Sequence, residues 1–84
     1  MNGWQFVVHQ EALEAIDALS SSERREIRKA LRALVNDPYQ TPDAQIRPPN
    51  DRIYLVKRVQ SYYVVYWLDS FVREVRIVRL DSPR

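Results

Sequence analysis

Arg52-Ile53-Tyr54-Leu55-Val56-Lys57-Arg58-Val59-Gln60-Ser61-Tyr62-Tyr63-Val64-Val65-Tyr66 is two β-rich runs set around a two-residue break. β-branched and aromatic residues crowd both halves, and Gln60-Ser61 is too short a break for anything but a tight hairpin. Two strands follow, over residues 53–59 and 62–68. Beyond a second turn at Asp69-Ser70-Phe71, a third β-rich run covers residues 72–80. Connections this short cannot make parallel crossovers, so the three runs predict an antiparallel meander.

Upstream the period changes. Trp4-Gln5-Phe6-Val7-Val8-His9 has the composition of one strand. Ala12, Leu13, Ile16 and Leu19 then recur at three- and four-residue spacing, with Glu11, Glu14 and Asp17 turned outward, as in a short amphipathic helix. Ser20 and Glu23 have the spacing of a capping box opening a second helix. Ile27, Ala30, Leu31, Leu34 and Val35 line one side of it, and Asn36-Asp37-Pro38 ends it, because proline cannot continue the hydrogen-bond ladder. Helices so closely joined form a hairpin. Residues 37–51 hold four of the five prolines and no periodicity, which reads as a loop. The expected fold is α+β in two layers, a helical hairpin packed on an antiparallel sheet in the order β-α-α-β-β-β, with residues 1–84 one domain.

Composition narrows the chemistry. The chain has 84 residues, 45% hydrophobic and 29% charged, with no cysteine, one histidine and one glycine. Disulfides, thiolate metal sites and a cysteine nucleophile are therefore excluded, and Gly3 alone cannot build a glycine-rich phosphate loop. No metal and no cofactor is expected. No apolar run approaches the roughly 20 residues of a membrane helix, and Met1 to His9 lacks a basic start and a small-residue cleavage site, so the expected location is the cytoplasm. The net charge of +2 is unevenly spread: residues 1–42 sum to −1 and residues 43–84 to +3. Eleven of the 13 basic residues are arginine, the side chain suited to bidentate contact with phosphate or carboxylate. A polyanion or an acidic protein is the partner this implies.

The element order and its residues resemble the RelE/ParE family of bacterial toxins from type II toxin–antitoxin systems. The likeness begins at Phe6-Val7-Val8-His9-Gln10-Glu11-Ala12, runs through the Asn36-Asp37-Pro38 helix end, and is most telling at Arg52 to Tyr66, which looks like the family's basic strand, tight turn and tyrosine-bearing strand. The resemblance implies one of two targets. RelE-type members cut messenger RNA in the ribosomal A site without a metal, using the 2′-hydroxyl as nucleophile, with basic and tyrosine side chains on the sheet holding the phosphate. ParE-type members poison DNA gyrase. Both are neutralised by a cognate antitoxin, and no small-molecule substrate or membrane is implied. Fold alone does not choose between the targets.

By this resemblance the catalytic candidates are Arg58, Tyr63, Arg76 and Arg79, and the RNA- or target-binding candidates are Arg52, Lys57 and Tyr66. Strand alternation sends Lys57 and Arg58 to opposite faces, so one of the two faces a ligand. Tyr63 stands where many RelE-type nucleases have an arginine; tyrosine supplies one neutral donor there, or merely cross-strand packing. Regular alternation sends Arg79 to the side of Val75 and Ile77, and Arg76 to the other, where Glu74 is its nearest ion-pair partner. Tyr54, Tyr62, Tyr66 and Trp67 suit either RNA stacking or a core. The ending Leu80-Asp81-Ser82-Pro83-Arg84 has no counterpart of the late tyrosine of many RelE nucleases. Tyr63 and this ending weigh against nuclease activity, and a degenerate, non-toxic antitoxin-binding or autoregulatory module is the alternative. His9 reads as structural. Arg24, Arg25, Arg28 and Arg32 make the second helix a basic surface for an acidic partner or a solvated face.

Overall fold

The computed structural model describes residues 3–83. Strand β1 (Gln5–Val8) leads into helices α1 (Gln10–Asp17) and α2 (Ser21–Asn36), followed by strands β2 (Ala44–Ile46), β3 (Tyr54–Val59), β4 (Tyr62–Asp69) and β5 (Glu74–Asp81). The strands form one sheet in the order β1-β5-β4-β3-β2. Strands β3, β4 and β5 make the antiparallel meander expected from their short connections. The helices carry the chain across one face of the sheet, and β1 lies parallel to β5, so the sheet is mixed rather than wholly antiparallel.

The core forms where the apolar sides of both helices meet one side of the sheet. Ala12, Ile16, Ile27, Leu31 and Leu34 pack with Val64, Tyr66, Val75 and Ile77. Truncating a fully buried leucine such as Leu34 in a core this small costs about 2–5 kcal/mol. The other face of the sheet carries no helix. Strand alternation therefore divides β4 cleanly: Tyr62, Val64, Tyr66 and Leu68 turn toward the helices, and Tyr63, Val65, Trp67 and Asp69 toward the open face.

Four local expectations change. The segment after α2 is not all loop, because Ala44–Ile46 pairs with β3. Asp43 anchors that pairing, its N–H donating to the Val56 carbonyl at 2.8 Å and its carboxylate accepting from the Arg58 N–H at 2.7 Å. Strand β5 starts at Glu74, not at residue 72, because the preceding turn runs through Arg73, whose φ of 56° is incompatible with a strand. Leu13, assigned to the apolar side of its helix, is 46% exposed. The β4–β5 register also slips once. Tyr66 faces Ile77 but Val65 faces Arg79, which leaves Val78 as the extra residue of a β-bulge.

The capping box is formed. Ser20 Oγ accepts from the Glu23 N–H, and Glu23 Oε1 accepts from the Ser20 N–H at 3.1 Å. Its free oxygen, Oε2, accepts from the Tyr62 hydroxyl at 2.9 Å, tying the start of α2 to the start of β4. The Tyr62 bond, then those from Ser20, hold the Glu23 carboxyl below its ordinary value, and the same contact holds the Tyr62 phenol above its own. The lowered carboxyl contributes stability that is complete above the unfolded pKa and is lost as pH falls through the folded one. The raised phenol contributes below its unfolded pKa, and that is lost in strong alkali. Ser20→Ala is expected to cost about 1 kcal/mol in chemical denaturation. Tyr62→Phe should flatten the fall in Tm between about pH 5 and pH 3, followed by circular dichroism; an unchanged acid limb would show that the tie contributes nothing.

Candidate functional site

The bulge at Val78 decides which side chains meet. Regular alternation would turn Arg79 into the helical layer with Ile77. The extra residue restores Leu80 to the core side opposite Val64 and turns Arg79 to the open face opposite Val65. The expected facing of Arg79 is thus reversed, and Arg76 and Arg79 share one surface. Cross-strand rows then read across that surface: Arg58, Tyr63 and Asp81; Val56, Val65 and Arg79; Trp67 and Arg76, with Tyr54 on the same face of β3. The four residues Arg58, Tyr63, Arg76 and Arg79 stand together on the face without helices.

The middle of this face is a hollow of about 260 Å³ with Val65 on its floor and Ile46, Pro48, Asp51, Tyr54 and Arg79 around it. The loop after β2 leans over the sheet to build its wall, and this cover leaves Val65 only 2% exposed. Tyr54 donates its hydroxyl to Asp51 Oδ2 at 3.4 Å. Beside the hollow, the Arg52 guanidinium lies 3.6 Å from the centre of the Trp67 ring, a close cation–π contact, and that of Arg76 lies 5.6 Å away. Arg52 and Trp67 thereby form a flat platform at the rim.

Arg58, Arg76 and Arg79 each already have an internal acceptor. Arg76 Nη2 donates to Glu74 Oε1 at 2.7 Å, and its Nε lies 3.5 Å from Asp69 Oδ2, near enough for charge attraction but without a hydrogen bond. Arg79 Nε donates to Asp81 Oδ1 at 2.8 Å. Arg58 Nε donates to the Gln60 carbonyl at 2.9 Å. The Glu74–Arg76 pair was legible as an i, i+2 spacing on one strand; Arg79 and Asp81 repeat that spacing and were missed. Asp69 was missed as well, because it reaches Arg76 from the neighbouring strand.

Two predicted contact residues lie elsewhere. Lys57 points to the helical side, where its Nζ donates to Gln40 Oε1 at 2.7 Å, so Arg58 is the member of the pair on the open face. Tyr66 is fully buried in the core and offers nothing to a surface ligand. Burial, and secondarily the charge of Asp43, pushes its phenol above the ordinary value. Tyr62 is likewise on the core side, whereas Tyr54 and Trp67 are on the open one. No cluster of three or more His, Cys, Asp or Glu side chains among the described residues is arranged to hold a metal.

No protein-family model matches the chain, and no curated protein matches it. Solved structures do. The archaeal RelE–RelB complex from Pyrococcus horikoshii contains a chain similar to this one with a TM-score of 0.79 at 15% identity, over 96% of each chain. The toxin–antitoxin complex RelBE2 from Mycobacterium tuberculosis gives 0.78 at 17%, over 95% of this chain and 98% of that one. The isolated RelE toxin from E. coli gives 0.74 at 18%, over 96% and 85%. At these identities the likeness is one of fold: the chain has the architecture of the RelE toxins.

Removing Arg76 leaves Asp69 and Glu74 facing each other without a cation. Arg76→Ala is therefore expected to cost about 1 kcal/mol or more in denaturant titration, and Arg79→Ala, at a more exposed pair, only a few tenths. Tyr66→Phe removes a buried hydroxyl that has no hydrogen-bond partner among the described residues. It should leave Tm unchanged or raise it.

Proposed function

We propose that this chain is the toxin of a type II toxin–antitoxin module, acting in the cytoplasm as a single domain, held inactive by a cognate antitoxin and arresting growth through translation. The observation that carries the reading is the bulge at Val78, which turns Arg79 to the same helix-free face of a RelE-type sheet as Arg58 and Tyr63. The structural neighbours support the antitoxin: two were crystallised as toxin–antitoxin complexes, and a mutant E. coli RelE was crystallised with an antitoxin peptide.

The chemistry that suits such a face is cleavage of RNA by its own 2′-hydroxyl. That oxygen loses its proton as it bonds to the adjacent phosphorus, negative charge builds on the phosphoryl oxygens, and the departing 5′-oxygen takes up a proton. Arg58 and Arg79 would hold the phosphoryl oxygens, where a guanidinium contributes most as charge develops. Tyr63, between them, would add a neutral hydrogen bond. Arg52 on Trp67 would support a base. The ribosome would supply the alignment that so shallow a hollow does not.

A second reading has its own observation. The internal acceptors of Arg58, Arg76 and Arg79 compete with phosphate, as expected of a degenerate member that keeps only antitoxin binding. Tightly repressed induction, with wild type compared to Arg58→Ala/Arg79→Ala, separates the two. Growth arrest with codon-phased transcript cuts, reduced at least about 100-fold in the mutant, is the expected outcome. Arrest with intact transcripts and a DNA-damage response would move the target to gyrase. No arrest would favour the degenerate module.

A further inference from the structure

Strand β5 ends on an acidic residue that the bulge at Val78 turns outward together with Arg79. Regular alternation would send both Arg79 and Asp81 to the helical side. The extra residue brings both to the open face, where Asp81 pairs across the strands with Tyr63, and Tyr63 with Arg58. Asp81 is the only carboxylate in the two rows that hold Arg58, Tyr63 and Arg79. Its Oδ1 accepts from Arg79 Nε at 2.8 Å, which draws the guanidinium along the strand toward the row of Arg58 and Tyr63.

The other acidic residues of this face are placed differently. Glu74 and Asp69 both lie against Arg76, at 2.7 and 3.5 Å, with their side chains only 17% and 24% exposed. Arg76 is thus held from two sides in a partly buried setting. The Arg79–Asp81 pair is a single contact, and its side chains are 46% and 40% exposed. Water screens so open a pair, and both partners keep much of their hydration, so it is weakly held and readily exchanged. A guanidinium meets a carboxylate and a phosphodiester in the same way, since each presents one negative charge spread over two oxygens. Arg58 donates to the neutral Gln60 carbonyl and is in no ion pair among the described residues.

We propose that Asp81 is an internal competitor for phosphate: its carboxylate occupies on Arg79 the place that a phosphodiester of a bound RNA strand takes, and RNA binds by displacing it. The inference rests on the reading of the open face as a phosphate-holding surface, and it makes Asp81 a specificity-determining residue of that face. Exchanging one singly charged anion for another gains little, so a lone phosphodiester does not displace Asp81. A strand that also meets Arg58, Tyr63 and the Arg52–Trp67 platform does. The sign of the effect separates this role from a supporting one. Removing a competitor strengthens binding, whereas removing a carboxylate that merely orients Arg79 weakens it.

The test titrates a fluorescein-labelled single-stranded RNA of about 12 nucleotides with the full chain at low salt. Wild type is compared with Asp81→Asn and with Glu11→Gln, an exposed change on α1 that alters net charge equally but lies away from the sheet. Asp81→Asn is expected to bind at least about fivefold tighter than wild type, and Glu11→Gln within about twofold of it. The dependence of log Kd on log salt should steepen by about 0.7 in the Asp81 variant, as for one further unopposed phosphate contact. In an Arg79→Ala background the gain should vanish. In ¹⁵N-labelled wild type, RNA should move the Nε–H signal of Arg79 away from its carboxylate-bonded position. Weaker binding by Asp81→Asn, a gain no larger than that of Glu11→Gln, a gain that persists without Arg79, or an Nε–H signal that RNA leaves in place would overturn the proposal. So would the absence of RNA binding by every variant. If Asp81→Asn changes nothing while Arg58→Ala/Arg79→Ala abolishes binding, the competitor fails and the phosphate-holding face stands. If that double variant binds as wild type does, the face itself fails.

Discussion

Strand β4 has to satisfy two surfaces at once, and the rest of the molecule is arranged around that demand. Its even-numbered residues fill the core beneath the helices, and its odd-numbered residues make the floor of the opposite face. Both of its neighbours must match this alternation residue by residue. On the β3 side they do so without interruption. On the β5 side the match holds from Glu74 to Ile77 and is then reset by the bulge at Val78. Without the reset, Arg79 would enter an apolar layer with no carboxylate to meet it, and Leu80 would lie on the open surface. One unpaired residue keeps a guanidinium out of the core and places it among the other arginines.

This explains what the sequence made legible and what it did not. Periodicity in α2, the Ser20–Glu23 spacing and the two-residue turn at Gln60-Ser61 are local signals, and each corresponds to local structure. The parallel pairing of β1 with β5 and the short strand at Ala44–Ile46 depend on distant partners, which no local pattern reports. The facing of Arg79 failed for a sharper reason: a bulge leaves no compositional mark, and one inserted residue inverts every later assignment on the strand. Tyr66 shows the converse difficulty. A tyrosine among arginines has the same sequence signature whether it stacks on a ligand or fills a core.

On the open face Arg76 and Arg79 are paired with carboxylates, while Arg58 donates to a neutral carbonyl. Arginines paired with carboxylates two residues away are well oriented but partly neutralised, so a phosphate arriving there exchanges one anionic partner for another. Arg25, Arg28 and Arg32 on α2 are in no such pair among the described residues.

The parallel contact between β1 and β5 also bears on how the protein is made. Gln5 and Glu74 are 69 positions apart, and their strands are direct neighbours in the sheet. During synthesis, the first of the described strands leaves the ribosome long before the strand it must pair with exists. Helices α1 and α2 then wait with their apolar sides uncovered, and the sheet cannot close until β5 emerges. The nascent chain therefore passes through a stage in which its sticky helical half is available and its arginine-bearing face is incomplete. Anything that captures the helices in that interval meets the protein before its open sheet face is complete.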